Sequence, residues 1–211
     1  MSESVAAVPL REQQRAYTRS KLLESARQVF VTRGFPDATV DDIVREAGAS
    51  RATFYLHFRS KTDVAAALVD EGTPFAVAQY RMLDKLLCDG GPRLREQLHS
   101  WLSKWLGIWT ESAGAWHALQ AASTLEPELE AQRLRQSATL IDTLERYFGQ
   151  MPEADRKHAR DRALLLEIMT QRIFSLASMR ELPIANDDIL STLVDMWYYT
   201  LVEQAPPQIR T

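Results

Sequence analysis

Three helix starts are written between residues 39 and 63, and they leave that part of the chain few ways to fold. Thr39, Ser50 and Ser60 each stand before a short segment with helical apolar spacing, and Asp42 and Asp63 follow Thr39 and Ser60 three residues on. A hydroxyl placed there accepts an orphan N–H of the first helical turn, and an acid at the third helical position returns the bond. Asp41 and Asp42 also suit the positive end of a helix dipole. This spacing predicts a helix over 40–47, a second over 51–57 and a third that begins at Ser60. Gly48 lies between the first two and permits the left-handed turn that swings one across the other. Ile43, Val44, Ala47 and Phe54 then close a miniature core against a preceding helix.

Two short helices joined by a tight glycine-containing turn form a helix-turn-helix. Arg51, Ala52, Thr53, Tyr55 and His57 are left facing outward. The N-terminal end of the second helix is the part that reaches base edges in such a motif. Arg51 can donate to guanine N7 and O6, and the Ala52 methyl can meet a thymine methyl. Thr53, Tyr55 and Lys61 carry donors suited to phosphate oxygens, and the first N–H groups after Ser60 add an anion site beside Lys61.

The rest of the chain also has helical periodicity. Eight glycines and nine prolines in 211 residues punctuate it sparsely. Residues 1–10 read as irregular, and residues 1–17 as a flexible arm. The first helix is expected over 18–32, with Leu22, Ala26, Val29 and Phe30 as its apolar stripe and Gly34 at its end. A helix from Ser60 is expected to stop near Glu71, broken by Gly72 and Pro74. Further helices are expected over 75–88, 93–111, 114–123, 127–149, 153–180 and 187–203, the last capped by Asn186. The fold class is therefore all-α. A helix-turn-helix unit at 18–65 precedes a larger helical unit at 66–211.

Charge follows the same division. The net charge of −3 splits into +3 over residues 1–62 and −6 over the remainder. A basic end on an acidic body suits a module that touches phosphates. Arg11, Arg15 and Arg19 recur every four residues and form one basic stripe if the first helix extends backward, or simply a solvated face.

The run Ala38-Thr39-Val40-Asp41-Asp42-Ile43-Val44-Arg45-Glu46-Ala47-Gly48-Ala49-Ser50-Arg51-Ala52-Thr53-Phe54-Tyr55-Leu56-His57-Phe58-Arg59-Ser60-Lys61 resembles the signature of the TetR/AcrR family of bacterial regulators. With Gly34-Phe35 upstream, the resemblance covers roughly residues 18–70. It implies Arg51 and Ala52 at base edges, Thr39, Thr53, Tyr55 and Lys61 on phosphates, and His57 near the backbone, with Ser50 among them at the start of the recognition helix. Asp41 stands where some members carry a basic base-reading residue.

In the larger unit, Trp101, Trp105 and Trp109 fall at i, i+4 and i+8, and Trp116 follows closely. Large aromatics on one helix face line apolar pockets as readily as they fill cores. The segment Ile168-Met169-Thr170-Gln171-Arg172, with Ile189 through Trp197, is similar to the mycobacterial ethionamide-type repressors within the family. That similarity implies a lipophilic channel near Thr170, Phe174 and Trp197, joining the four tryptophans as candidate ligand residues. Glu167 and Thr170 stand where such a repressor offers amides. With few cationic residues on this face, the expected ligand is small, lipophilic and neutral or weakly polar. The family resemblance also implies a homodimer through about 153–180 and 187–203, and a pseudo-palindromic operator.

Other functions find less support in the residues. His57, His99, His117 and His158 show no metal spacing, no cofactor is implied, and neither a nucleophile elbow nor a phosphate loop is present. An enzyme is therefore not expected. The lone Cys88 fits a reducing cytoplasm, and no leader or membrane span is expected. The function expected is a repressor released from its operator by the ligand. The alternatives are a ligand-dependent activator and a helical carrier without DNA binding.

Overall fold

Two apolar clusters organise the chain, and one long helix contributes to both. A computed structural model describes residues 9–203. The helices are α1 (Leu10–Arg33), α2 (Val40–Ala47), α3 (Arg51–Tyr55), α4 (Lys61–Asp89), α5 (Leu94–Glu111), α6 (Ala113–Leu125), α7 (Pro127–Asp142), α8 (Glu145–Gly149), α9 (Glu153–Ser178) and α10 (Asn186–Tyr198). A π-helical turn, Tyr199–Glu203, follows, and no strand occurs among the described residues.

The first cluster holds Leu22, Phe30, Ile43, Phe54 and Phe58 with Val64–Val69 of α4. Ala118, Leu119 and Ala122 of α6 also enter it. The second holds Tyr80, Leu83 and Leu87 of α4 with the inner faces of α5, α7, α8, α9 and α10.

Local capping sets the starts of α2, α3 and α4 as the sequence requires. Thr39 and Asp42 form a reciprocal capping box, Ser50 accepts from the Thr53 N–H, and Ser60 accepts from the Asp63 N–H. Gly48 adopts φ 58°, ψ 37°, the left-handed turn between α2 and α3.

Four expectations are corrected. First, α1 begins at Leu10, so residues 10–17 are helical rather than part of a loose arm, and residues 1–8 lie outside the described residues. Second, α4 is continuous through Pro74. A proline inside a helix costs about 3 kcal/mol and leaves the carbonyl four residues back without its partner. Burial on both sides of it outweighs that cost, since each fully buried large apolar side chain returns about 1.5–3 kcal/mol and α4 feeds two cores. Two amides of α7 bind the turns just before the proline: Gln132 donates to the Ala66 carbonyl and the Asp70 carboxylate, and Gln136 to the Val69 carbonyl and Thr73 Oγ1.

Third, the helix expected over 127–149 breaks at Thr143-Leu144. Buried Asp84 of α4 accepts the Tyr147 N–H at 2.9 Å, which draws α8 away from the line of α7. Fourth, Asn186 is the first residue of α10 rather than its cap, and Ala185 holds the cap position without a side-chain bond.

Candidate nucleic-acid interface and ligand cavity

The helix-turn-helix presents its outer face over a closed base. Ile43 and Phe54 are fully buried beneath α2 and α3, while Arg51, Ala52 and Tyr55 are exposed. Arg51 lies 3.0 Å from Asp41 across the turn, with both side chains more than half exposed. The Tyr55 oxygen and the Asp41 carboxylate both favour the charged form of Arg51. Solvent screens an exposed pair of this kind, so it orients Arg51 without locking it. Tyr55 packs edge-on against Phe54 at 5.4 Å between centroids.

Other residues of the motif are already engaged. The Thr39 hydroxyl donates to Asp42 Oδ2 at 2.6 Å and accepts the Asp42 N–H. Asp42 is held below the usual carboxylate range by these Thr39 bonds, with Arg33 and Arg45 adding to them. Ser50 and Thr53 share a hydroxyl bond at 2.8 Å. Lys61 is placed otherwise than expected. Its ammonium donates to the carbonyls of Phe35, Pro36 and Ala38 at 2.7, 2.8 and 2.9 Å and lies over the Phe35 ring. The Lys61 side chain therefore pins the loop between α1 and α2.

The backward extension of α1 carries Arg11, Arg15 and Arg19 beside this face. Arg11 and Arg15 border a surface cleft with Leu56, and the Arg19 guanidinium covers the Phe58 ring. His57 is half-buried between them. Its pKa is pushed below the ordinary value by burial first, then by the charges of Arg15 and Arg19.

A cavity of about 290 Å³ lies between α4, α5, α6, α7 and α9. Trp101, Trp105, Trp109, Trp116, Thr170 and Phe174 all line it. Trp197 is not among its lining residues and stands behind the wall instead. It is fully buried, its Nε1 donates to Thr170 Oγ1 at 2.9 Å, and its ring lies 5.5 Å from Trp101.

The polar lining differs from the expectation. Tyr80 and Gln171 both donate to the buried Glu167 carboxylate. Burial raises the Glu167 pKa, and the two hydrogen bonds oppose that rise. Arg133 adds a cation to the wall from α7. It contacts Gln120 at 2.8 Å and Glu130 at 3.7 Å. The indole N–H groups of Trp105 and Trp116 are buried without a partner among the described residues. Glu167, Thr170, Gln171 and Phe174 fall at i, i+3, i+4 and i+7, one helix face. An acid and an amide on an inward stripe was the signal available for this polar end. Arg133 gave none, because nothing in the sequence places α7 against α4.

A second cleft separates α1, α4 and α6, bordered by Arg27, Phe30, Glu71 and Leu119. Gly72 and Trp116 belong to both this cleft and the cavity. Trp116 stacks on Trp109 at 4.6 Å. Among the described residues no helix is long and apolar enough to cross a membrane, and no group of His, Cys, Asp and Glu is arranged to hold a metal.

Comparison with known proteins agrees with this arrangement. The model of bacterial regulatory proteins of the tetR family matches residues 22–68. TtgW of Pseudomonas putida, an uncharacterized HTH-type transcriptional regulator, is 44% identical over 52 residues, a stretch covering 25% of this chain and 39% of that protein. The chain thus spans about two-fifths of that relative. EthR of Mycolicibacterium smegmatis, another HTH-type transcriptional regulator, is 26% identical over 190 residues, 88% of this chain and 86% of EthR. The solved fatty acid degradation regulator FadR of Bacillus halodurans shares the fold, with a TM-score of 0.61 at 19% identity over 89% of this chain and 96% of FadR. Residues 22–68 thus match the tetR family of bacterial regulatory proteins, and the chain is similar to one such HTH-type regulator, EthR, along most of its length.

Proposed function

We propose that the protein is a homodimeric operator-binding repressor, released by a small lipophilic ligand. The observation that carries this reading is the exposed start of α3. Arg51 and Ala52 project there from a rigid base, beside a basic edge of α1. In this reading Arg51 and Ala52 meet base edges, and Tyr55, Thr53 and Ser50 meet the phosphates. Arg11, Arg15 and Arg19 follow the backbone, and His57 lies near it. Thr39 and Lys61 act by holding α2 and its loop in place.

The dimer surface is assigned to the outer faces of α9 and α10. Leu165 of α9 and Met196 of α10 are exposed there although large and apolar, as are Met179 just past α9 and Tyr199 in the π-helical turn. Ile189 and Leu193, by contrast, are buried within the protomer. A two-fold pair would set the recognition helices near ~34–36 Å apart, one duplex turn. The ligand site is the tryptophan-lined cavity, where the unpaired indole donors favour a molecule carrying an acceptor oxygen. Trp116, shared with the cleft against α1, is the element through which ligand binding would tilt the DNA-binding unit.

The test is binding of the full chain to the DNA flanking its own gene, as a function of salt. Wild type is compared with Arg51→Ala and Tyr55→Phe. Specific binding that weakens steeply with salt, and further in both variants, supports the reading. Binding indifferent to both substitutions overturns the assignment of α3.

A further inference from the structure

We infer that the cavity takes a lipophilic cation, with Glu167 as its counter-charge and the rings of Tyr80, Trp101 and Trp105 around its head. This rests on the reading of the cavity as a ligand site and specifies the charge of the ligand.

Glu167 lines the cavity, is only 3% exposed and sits in the middle of α9. Its hydrogen-bond partners, Tyr80 and Gln171, are both neutral donors. No ion pair to Glu167 occurs among the described residues, although ten ion pairs are found elsewhere. As an anion this buried carboxyl has no counter-ion, and a bound cation would supply one.

The rings supply the second half of the site. Tyr80 lies 5.3 Å from Trp101 and 6.3 Å from Trp105, and Trp101 and Trp105 are 6.1 Å apart. Phe75 extends the group at 6.0 Å from Trp105. Aromatic faces attract cations most strongly when desolvated, and such cages favour ammonium groups whose charge is spread over methyls.

Arg133 is the group that argues the other way, since a cation on the wall would select an acid. Its charge is partly offset: burial and the like charge of Arg172 oppose it, and Glu130 supports it. Glu130 stands one turn away on α7, and Gln120 and Ser123 accept from the guanidinium. The cavity therefore contains a cation with an acid beside it and an acid with no cation beside it, and the acid without a partner charge sets the preference.

The experiment uses the full-length protein without DNA. Octyltrimethylammonium, octanoate and 1-octanol are titrated by calorimetry, with tryptophan fluorescence as a second readout. The cation is expected to bind at least about tenfold more tightly than either of the others. That preference should be lost in Glu167→Gln and reduced in Trp105→Leu, with thermal melts confirming that each variant folds. If Glu167→Gln does not fold, the charge series on the wild type decides by itself. Equal binding of all three, or tighter binding of 1-octanol, overturns the cation while leaving the ligand site in place. Tightest binding of octanoate that is lost in Arg133→Gln overturns it in favour of an acid. Binding of none overturns this inference and the ligand site together.

Discussion

A Cβ at Gly114 would lie 2.9 Å from Val31 Cγ1, so α6 meets α1 at a distance that only glycine permits. Val31 is β-branched and within a helix, where its rotamer choice is narrow. Gly114 lies two residues before Trp116, which faces both the tryptophan-lined cavity and the cleft against α1. The contact thus joins the wall of the cavity to the helix that packs under α2 and α3.

Helix propensity alone would make Gly114→Ala stabilising by about 1 kcal/mol. Overpacking typically costs about 1–3 kcal/mol, and we expect it to win. The variant should melt at lower temperature than wild type. In the Val31→Ala background the same substitution should become neutral or stabilising. A double-mutant cycle followed by thermal denaturation checks this, and additivity of the two changes would show that the contact does not carry strain.

Lys61→Met should destabilise the free protein by about 2–3 kcal/mol, since three carbonyls lose a charged donor. The plot of log affinity for operator against log salt should keep its slope. A lost phosphate contact would reduce that slope by about 1. Denaturant unfolding and salt-dependent DNA binding on the same variant separate the two roles.

Thr170→Val preserves the shape of the cavity wall but removes the acceptor of the Trp197 indole. A buried donor left unpaired costs about 1–3 kcal/mol. Thr170→Ser keeps the oxygen and should lose much less. Chemical denaturation of both variants tests the pair, and equal stability of the two would remove the hydrogen bond from the account.

His57 should titrate below its ordinary value of 6.5. Arg19→Gln should move it back upward, because one of the charges opposing its protonation is gone. The sign for stability follows from linkage. Above the ordinary value His57 is neutral in both folded and unfolded chains and contributes nothing. As pH falls below it, the unfolded chain takes up the proton first, so His57 lowers stability until the folded value is passed. Side-chain NMR of His57 across pH gives the titration, and an unshifted His57 in the wild type would contradict the half-buried basic setting.

The reach of the sequence can be judged residue by residue. Thr39, Ser50, Ser60 and Gly48 determined where α2, α3 and α4 begin and how the turn runs, because capping and left-handed turns are settled within a few residues. The tryptophan spacing likewise placed Trp101, Trp105 and Trp109 together, since one helix face is a local property. Helix continuity at Pro74 was not legible, because the burial that offsets the proline comes from α7 and from two separate cores. The break between α7 and α8 depends on Asp84, far away in the chain. Lys61 could not be told from a phosphate donor, because the three carbonyls it binds lie in a loop more than twenty residues earlier. The same holds for the charge of the cavity: the sequence shows Tyr80, Arg133 and Glu167 as residues on separate helices, and only packing decides which acid meets a neutral donor and which cation meets an acid. Local hydrogen bonding and periodicity were determined by the sequence alone, whereas partners that lie distant along the chain were decided by the tertiary structure.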